Sequence, residues 1–460
     1  MTSAAFLEAR DARAALGAEL VRRARDRGKP AIVWIAVNVP GPDKHPPGID
    51  AVFGGAAAAL ERLPGAELAL QGRDLLGPYA ALLAAAPPED AKRAAVGAEA
   101  AAPARRLIDI DVYDQEGLAV DRARLGIPQR PCLVCSEPAR ECIAAGRHGA
   151  GALAGAVQEL LAPLRPAALA RRLAAGAEAE LDLTPKPGLV DRHDSGSHPD
   201  LSYAQMRRSI GLLPTYFEDL LALRRAGAGL GACIDAGRRA ERRMAEAAGA
   251  NAHRGYIFLC GLLLLAACDA EEAATRAEAP LGLAAPAAGA VVSGRRFEGL
   301  RHHVRSLARE FFDDHPAHDG STPSHGSRVR RQFGIGGIRA EACDGMPAVF
   351  DEGLPAYEDA LARTSDARLA AFALLGVLMQ CVEDTTTLHR CGRIGLARLR
   401  RDGRVLADMV AASADPVPCL EAWNRDYQRL GMTMGGVADC MALVFALHQH
   451  GAAMASAGAL

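Results

Sequence analysis

An α+β N-terminal domain followed by an all-α C-terminal domain is the fold class this sequence predicts. Two β-branched runs, Ala31–Val39 (AIVWIAVNV) and Arg106–Tyr113 (RLIDIDVY), lie early in the chain and read as strands. Beyond residue 165 no comparable run occurs, and apolar residues recur with helical period. The composition is rich in alanine with only 4% aromatic residues, which favours helix. At 460 residues two domains are expected. The breaks at Pro163 and Pro166 place the boundary near residue 165, giving domains 1–165 and 166–460.

In chain order, Phe6–Arg27 reads as an amphipathic helix stopped by Gly28-Lys29-Pro30. The strand Ala31–Val39 runs into the turn Pro40–Lys44, which presents Asn38 and Lys44. Ile49–Leu63 is a second helix, and Ala86–Ala104 is ambiguous between helix and loop. In the strand at 106–113, Asp109 and Asp111 stand two apart, so both carboxylates share one face with Leu107, opposite Ile108, Ile110 and Val112. Two adjacent carboxylates repel unless a cation sits between them, so the pair suits a divalent metal for nucleotidyl or phosphoryl transfer. A half-exposed strand alternating apolar and acidic residues is the plainer reading.

Arg130–His148 follows. Cys132, Cys135, Cys142 and His148 supply four zinc ligands in number and type, although the usual two-knuckle symmetry is absent. Reduced thiols in a packed turn are the alternative. Arg130, Arg140, Arg147 and His148 also form a cluster suited to phosphates. Gly149–Ala177 is helical with proline breaks.

The second half is organised around Thr184–Asp200 (TPKPGLVDRHDSGSHPD). Its three prolines and two glycines exclude a regular helix or central strand. Apolar anchors at Leu183, Leu189 and Val190 favour an ordered loop. Its Lys186, Asp191, Arg192, His198 and Asp200 suit a phosphorylated substrate with a metal ion. Helices are expected over Tyr203–Arg224, Gly231–Ala248, His253–Ala274, Phe297–Phe312, Leu354–Thr364, Ala367–Val382 and Met434–His448. The turn with Asn251, His253 and Arg254 enters a helix, where free N–H groups favour anions. The glycine-rich turn before Arg339 and Glu341 has the same form. Glu383 and Asp384 close an apolar helix beside His389 and Arg390; acids there oppose the helix dipole, which points to a metal or basic partner.

Net charge of −2 gives no global field for nucleic acid or membrane. Eleven scattered cysteines and no apolar leader after Met1 predict a reducing, cytoplasmic setting. The longest apolar run, Ile257–Cys268, is too short to span a bilayer and reads as a buried core helix.

The first half, through VNVPGPDK, RLIDIDV and RPCLVCSEPARECIAAGRH, resembles the apo-citrate lyase phosphoribosyl-dephospho-CoA transferase family. The second half, through LTPKPGLVDRHDSGSHPDL, NAHRGYIF, GIRAEACDGMP, EDTTTLHRCG and GGVADCMAL, resembles the triphosphoribosyl-dephospho-CoA synthase family. The resemblance implies a fused, two-step pathway. The second domain would join ATP to 3′-dephospho-CoA and release adenine. The first would pass the phosphoribosyl-dephospho-CoA group to a serine of the citrate lyase acyl carrier protein, releasing pyrophosphate. It implies Mg2+ at Asp109 and Asp111 and, in the second domain, metal or base roles for Asp191, Asp200, Glu341, Glu383 and Asp384. Phosphate contacts would come from Asn38, Lys44, Arg130, Arg147, Lys186, Arg192, His198, Asn251, His253, Arg254, Arg339 and Arg390. Ala340, Thr386 and Cys391 depart from the synthase pattern, which leaves a transferase with a degenerate synthase domain as an alternative. The equivalent role for malonate decarboxylase, and a non-catalytic carrier-binding scaffold, are others.

Overall fold

The computed structural model describes residues 3–249, 253–276, 297–314, 329 and 332–458. They form two compact units. The described residues of the first fall within Met1–Arg165, Glu271–Arg296 and Gly451–Leu460, and those of the second within Pro166–Ala270 and Phe297–His450. Among the described residues every strand belongs to the first unit.

The first unit begins with α1 (Ser3–Asp26), β1 (Ala31–Val37), α2 (Ile49–Leu60), β2 (Glu67–Asp74) and β3 (Gly77–Ala84). It continues with α3 (Pro88–Ala100), β4 (Ile108–Asp114), α4 (Ala139–Ala144) and α5 (Ala150–Leu161). The sheet is antiparallel in the order β2-β3-β1-β4. The β2–β3 hairpin is not legible as strand in the sequence: its run of alanines and glycines lacks the β-branched signature, and burial inside the sheet overrides propensity. Its two-residue turn is held by Asp74, whose Oδ1 accepts the Leu76 N–H at 2.7 Å. Ile108, Ile110 and Val112 join the core formed with α2 and α3. The opposite face packs Leu20 and Ala24 of α1 against Ile32, Leu70, Tyr79, Ala81 and Leu83. Arg106 and Leu107 are not strand residues as expected. They close a 3-10 turn, Pro103–Leu107, whose proline starts the turn, and Leu107 is buried in the α2/α3 core rather than lying beside the aspartates. Ala86–Ala104 resolves as mostly helix.

The second unit has α6 (Pro166–Asp182), α7 (Tyr203–Ile210), α8 (Leu213–Arg225), α9 (Leu230–Ala248), α10 (Arg254–Arg276, of which Glu271–Arg276 fall in the first unit) and α11 (Glu298–Asp314). Then come α12 (Gly337–Cys343), α13 (Leu354–Thr364), α14 (Ala367–Cys381), α15 (Thr385–Ala411), α16 (Val417–Leu430) and α17 (Gly435–Ser456), whose end passes into the first unit. The single helix expected over Tyr203–Arg224 is broken at Gly211-Leu212, just ahead of Pro214 near the start of α8. Helix α15 is kinked at Gly392, where φ is 62°. The Ile257–Cys268 run lies in α10, with Ile257, Leu259, Cys260 and Leu262–Ala266 buried. No single described helix is long and apolar enough to cross a membrane.

Candidate functional site

In the first unit, Asp109 and Asp111 project from the α1-side face of β4. Register sets Asp109 opposite Ala36 and Asp111 opposite Trp34 on β1, and Ala36 opposite Tyr79 on β3. Trp34 and Tyr79 stack with ring centroids 5.7 Å apart, making an aromatic floor beside the carboxylates. Arg130 Nη1 lies 3.2 Å from Asp109 Oδ1, its Nη2 donates to the Ile108 carbonyl, and it stands 3.5 Å from Glu99. Local desolvation first, and the Asp109 charge second, hold the Asp111 carboxyl above its ordinary range. The two aspartates are therefore an exposed pair short of positive charge. Lys44 donates to the Val39 carbonyl, and desolvation lowers its ammonium. Asn38 is exposed where β1 leaves the sheet, and its N–H donates to the Leu107 carbonyl at 2.6 Å. Arg147 is exposed. The Sγ atoms of Cys132, Cys135 and Cys142 and a ring nitrogen of His148 all lie within 4.8 Å of one another.

In the second unit the 184–200 loop is ordered, with residues 185–191 and Ser197 buried and Arg192, His193, Asp194, Pro199 and Asp200 exposed. Gly188, at φ 71°, passes so close to the chain that an added Cβ would meet the Met432 carbonyl at 2.2 Å. Its N–H donates to Asn424 Oδ1 at 2.9 Å, and Ser197 Oγ donates to the carbonyls of Met432 (2.6 Å) and Tyr427 (3.0 Å). Asp191 spends its carboxylate on the N–H groups of Lys186, His193 and Asp194, so it shapes the loop and does not line the cavity beside it. Lys186, fully buried, pairs with Glu180 Oε1 at 2.5 Å. Arg192 faces away, paired with Asp182 at 2.6 Å.

The loop, α6, α9, α10, α12, α15 and α17 line a cavity of about 1230 Å3. Of the residues singled out in the sequence, His198, Asp200, His253, Arg254, Arg339, Glu341, Glu383 and Arg390 line it. Asn251 lies outside the described residues. Sequence reasoning missed Glu180 and Asp439, which also line it. Asp439 is a lone acid in an apolar helical stretch, and that isolation was the available signal, whereas Glu180 stands between Glu178 and Asp182 with nothing in the sequence to set it apart.

Three helix N-termini around this cavity are engaged by the chain's own carboxylates. Asp439 lies against the start of α10, where it accepts the Tyr256 N–H and where a Cβ on Gly255 would come within 2.0 Å of its Oδ2. Glu383 Oε2 accepts from Gly336 (2.9 Å) and Gly337 (3.3 Å) at α12. Asp384 caps α15 by accepting the Thr387 N–H at 2.7 Å and reaches the Val437 N–H of α17 at 3.1 Å. The sequence reading set Glu383 and Asp384 against a helix C-terminus. The helix ends earlier, at Cys381, so both acids stand at the next helix's N-terminus, where the dipole favours them. Asp384 is fully buried and does not line the cavity.

Charge at the cavity wall is uneven. Burial, then the Glu180 and Asp384 charges, push Asp439 well above the carboxylate range. Burial raises Glu180 despite Lys186. Glu341 rises to about 7 through burial, against the pull of the Ala348 and Val349 N–H groups. It accepts the Ala348 N–H at 2.8 Å, where a π-helical turn, Ala348–Gly353, begins. Burial lowers His253 to about 4, with Nδ1 2.8 Å from Ser209 Oγ, so it meets a ligand as a neutral ring and not as a cation. Desolvation, then Arg390, lowers His198, which contacts Thr433 Oγ1 at 2.9 Å. Positive charge comes from guanidiniums. Arg339 lies 4.5 Å over the Phe312 ring, Arg390 donates to the Ser197 carbonyl at 2.8 Å, and Arg254 stands 3.6 Å from Glu241. Ala340 lies within α12 and outside the positive-φ positions, so replacing a glycine there strains nothing.

Residues 166–456 match the family model described as ATP:dephospho-CoA triphosphoribosyl transferase, and residues 1–163 match that of apo-citrate lyase phosphoribosyl-dephospho-CoA transferase. A protein of Pseudomonas paraeruginosa named "Probable 2-(5''-triphosphoribosyl)-3'-dephosphocoenzyme-A synthase" is 34% identical over 290 residues, 60% of this chain and 88% of its own length. Proteins of the same name from Stutzerimonas stutzeri and Azotobacter vinelandii are 36% and 34% identical, covering 57% and 58% of this chain and 84% and 86% of their own lengths.

Proposed function

The chain belongs to the ATP:dephospho-CoA triphosphoribosyl transferase family and carries an apo-citrate lyase phosphoribosyl-dephospho-CoA transferase domain ahead of it, and from that premise we propose that it both makes and attaches the citrate lyase prosthetic group. The 2′-hydroxyl of 3′-dephospho-CoA attacks the anomeric carbon of ATP's ribose. Adenine leaves, the hydroxyl proton passes to a base, and the triphosphate stays on the transferred sugar. In the second step a serine hydroxyl of the acyl carrier protein attacks the phosphorus nearest the sugar and pyrophosphate leaves. The single observation that carries this reading is the order of the two domains, 1–163 then 166–456, in one chain.

The cavity's chemistry supports a division of labour. Glu341, with a carboxyl raised to about 7, is the residue best matched to accept the hydroxyl proton near neutral pH. Arg254, Arg339 and Arg390 serve the triphosphate, because the nearby helix N-termini are already occupied by Asp439, Glu383 and Asp384. Departure of adenine leaves positive charge on the ribose, which buried carboxylates stabilise. Mg2+ fits this oxygen-rich set: it is commonly held by one or two carboxylates together with substrate phosphates, and Glu180 and Asp439 are a repelling pair that would hold it. When bound it would offset triphosphate charge. In the first unit Asp109 and Asp111 would hold Mg2+ in the same way, with Arg130 and Lys44 toward the phosphates.

The test uses the full chain with ATP, Mg2+ and 3′-dephospho-CoA. Adenine, quantified by chromatography, should appear only when dephospho-CoA is present. Adding apo acyl carrier protein should then give a mass gain equal to the phosphoribosyl-dephospho-CoA group. Absence of dephospho-CoA-dependent adenine would overturn the synthase assignment.

A further inference from the structure

The segment between β4 and α5 has little regular structure to hold it. It contains a 3-10 turn at Ala123–Leu125, one isolated bridge between Pro131 and Pro138, and the six-residue α4. Val120, Leu125 and Leu133 pack its first part against the core of α2, α3 and the sheet, but no side chain from Val134 to His148 joins that cluster. Yet Cys132 and Cys142 are buried, and four side chains, two from the 132–135 turn, one from α4 and one beyond it, converge.

We propose that Cys132, Cys135, Cys142 and His148 bind one structural Zn2+, and that this ion fixes the arm delivering Arg130 to Asp109. The donor set is three thiols and one imidazole, a combination zinc takes in closed, four-coordinate sites. Cys135 Sγ lies 3.4 Å from Cys142 Sγ and 3.3 Å from His148 Nε2, and all four ligand atoms fall within 4.8 Å. Two Zn–S bonds of ~2.3 Å at a tetrahedral angle set sulfurs roughly 3.8 Å apart, so a small contraction or expansion suffices. The backbone is arranged for a thiolate. Both the Val134 N–H and the Cys135 N–H point at Cys132 Sγ, as a Cys-x-x-Cys turn around a metal requires. A Cys135–Cys142 disulfide is the competing covalent outcome, but it leaves Cys132 and His148 gathered at the same point with no role.

Four protein ligands leave no open position, which makes the site structural and not catalytic. Its mechanical consequence follows from the hydrogen bonds. Cys132 N–H donates to the Glu137 carbonyl at 2.7 Å, Ala139 N–H donates to the Arg130 carbonyl at 2.8 Å, and Arg106 donates to the Cys132 carbonyl. Arg130 is thus tied at its backbone to the knuckle, while its guanidinium reaches Asp109 and the Ile108 carbonyl. Binding releases the thiol protons to solvent: three Cys–SH and one neutral His with Zn2+ give the Cys3His complex and up to three H+.

The experiment measures metal in the full chain. Elemental analysis after exhaustive dialysis should find about one zinc per chain, as closed Cys3His sites retain it. Cobalt exchanged into the site should give thiolate-to-metal charge-transfer absorption. Cys142→Ser and His148→Ala should each lower bound zinc to below about a tenth of an equivalent, because a lost ligand opens the site. Dephospho-CoA-dependent adenine release, which the proposed function assigns to the other domain, should be unchanged and reports that this domain is intact, while circular dichroism and thermal unfolding compare the fold of the first domain in each variant with the native one. Carrier modification should fall in both variants. No zinc in the native chain, or a Cys135–Cys142 disulfide found by mass spectrometry of protein kept under reductant-free but anaerobic conditions, overturns the site. Zinc lost with carrier modification intact overturns the link to Arg130. These outcomes are independent of whether the synthase reading holds, since metal content and cobalt absorption need no turnover.

Discussion

Two carboxylate constellations in this chain are built in opposite ways. Asp109 and Asp111 stand on the solvent-facing side of a strand, fixed by register to Ala36 and Trp34, with one guanidinium at 3.2 Å. Glu180, Glu341 and Asp439 sit in a helical cavity where burial has already raised each of them. The strand pair needs only period-2 geometry, so two residues of sequence make it. The cavity set needs α6, α12 and α17 brought together, so no short stretch of sequence contains it. A surface pair is neutralised by what arrives from solvent. A buried set must be neutralised in place, which explains Lys186 beside Glu180 and the helix N-termini around the rest.

The largest expected effect separates the two. Asp109→Asn should lower carrier modification by ~10³-fold, the scale of losing a group that stabilises transition-state charge, with adenine release unchanged. Loss of both activities together would break the separation of sites. Glu341→Gln should lower adenine release by ~10²-fold or more, the lower end of general acid–base contributions. In the native chain that rate should rise with pH through about 7, as the carboxyl loses its proton. A flat native profile over that range would remove Glu341 as the base.

Stability sharpens the comparison next. Lys186→Met leaves Glu180 buried without its partner and should cost about 3 kcal/mol, read from thermal or denaturant unfolding of the second unit. Asp191→Asn and Asp384→Ala remove acceptors of backbone N–H groups. The cap at Asp384 alone should cost about 1–2 kcal/mol. Adenine release by Asp384→Ala, measured below its unfolding temperature, should fall less than in Glu341→Gln; an equal fall would restore Asp384 to the chemistry.

The smallest effect is a pH slope. His253 has a folded value of about 4, below the ordinary 6.5. Between these values the unfolded state binds more protons, so stability contributed through this residue rises with pH from about 4 to about 6.5. His253→Gln should flatten that rise in the unfolding midpoint. An unchanged slope would show that the imidazole is accessible and not buried neutral.

Much of the architecture was legible in the residues. AIVWIAV formed β1, IDIDVY formed most of β4, and the apolar run at Ile257–Cys268 is the buried stretch of α10. The β2–β3 hairpin was not, because GPYAALLA is alanine-rich and only its neighbours make it a strand. Helices α15 and α16 went unread beneath dense arginine and aspartate. Their polar faces carry ion pairs such as Arg398–Asp402 at 2.6 Å, and these dilute the apolar period.

Sequence alone determined which residue types were available: the Asp-x-Asp pair, the Cys3His set, the proline-rich loop and the family motifs, all local or matchable patterns. Tertiary structure decided how each is spent. It assigned Asp191 and Asp384 to backbone N–H groups, made His253 neutral, and brought Glu180 and Asp439 from opposite ends of the helical unit into one wall. The physical reason is that ionisation and hydrogen-bond occupancy depend on burial and on partners distant in sequence, and only packing fixes both.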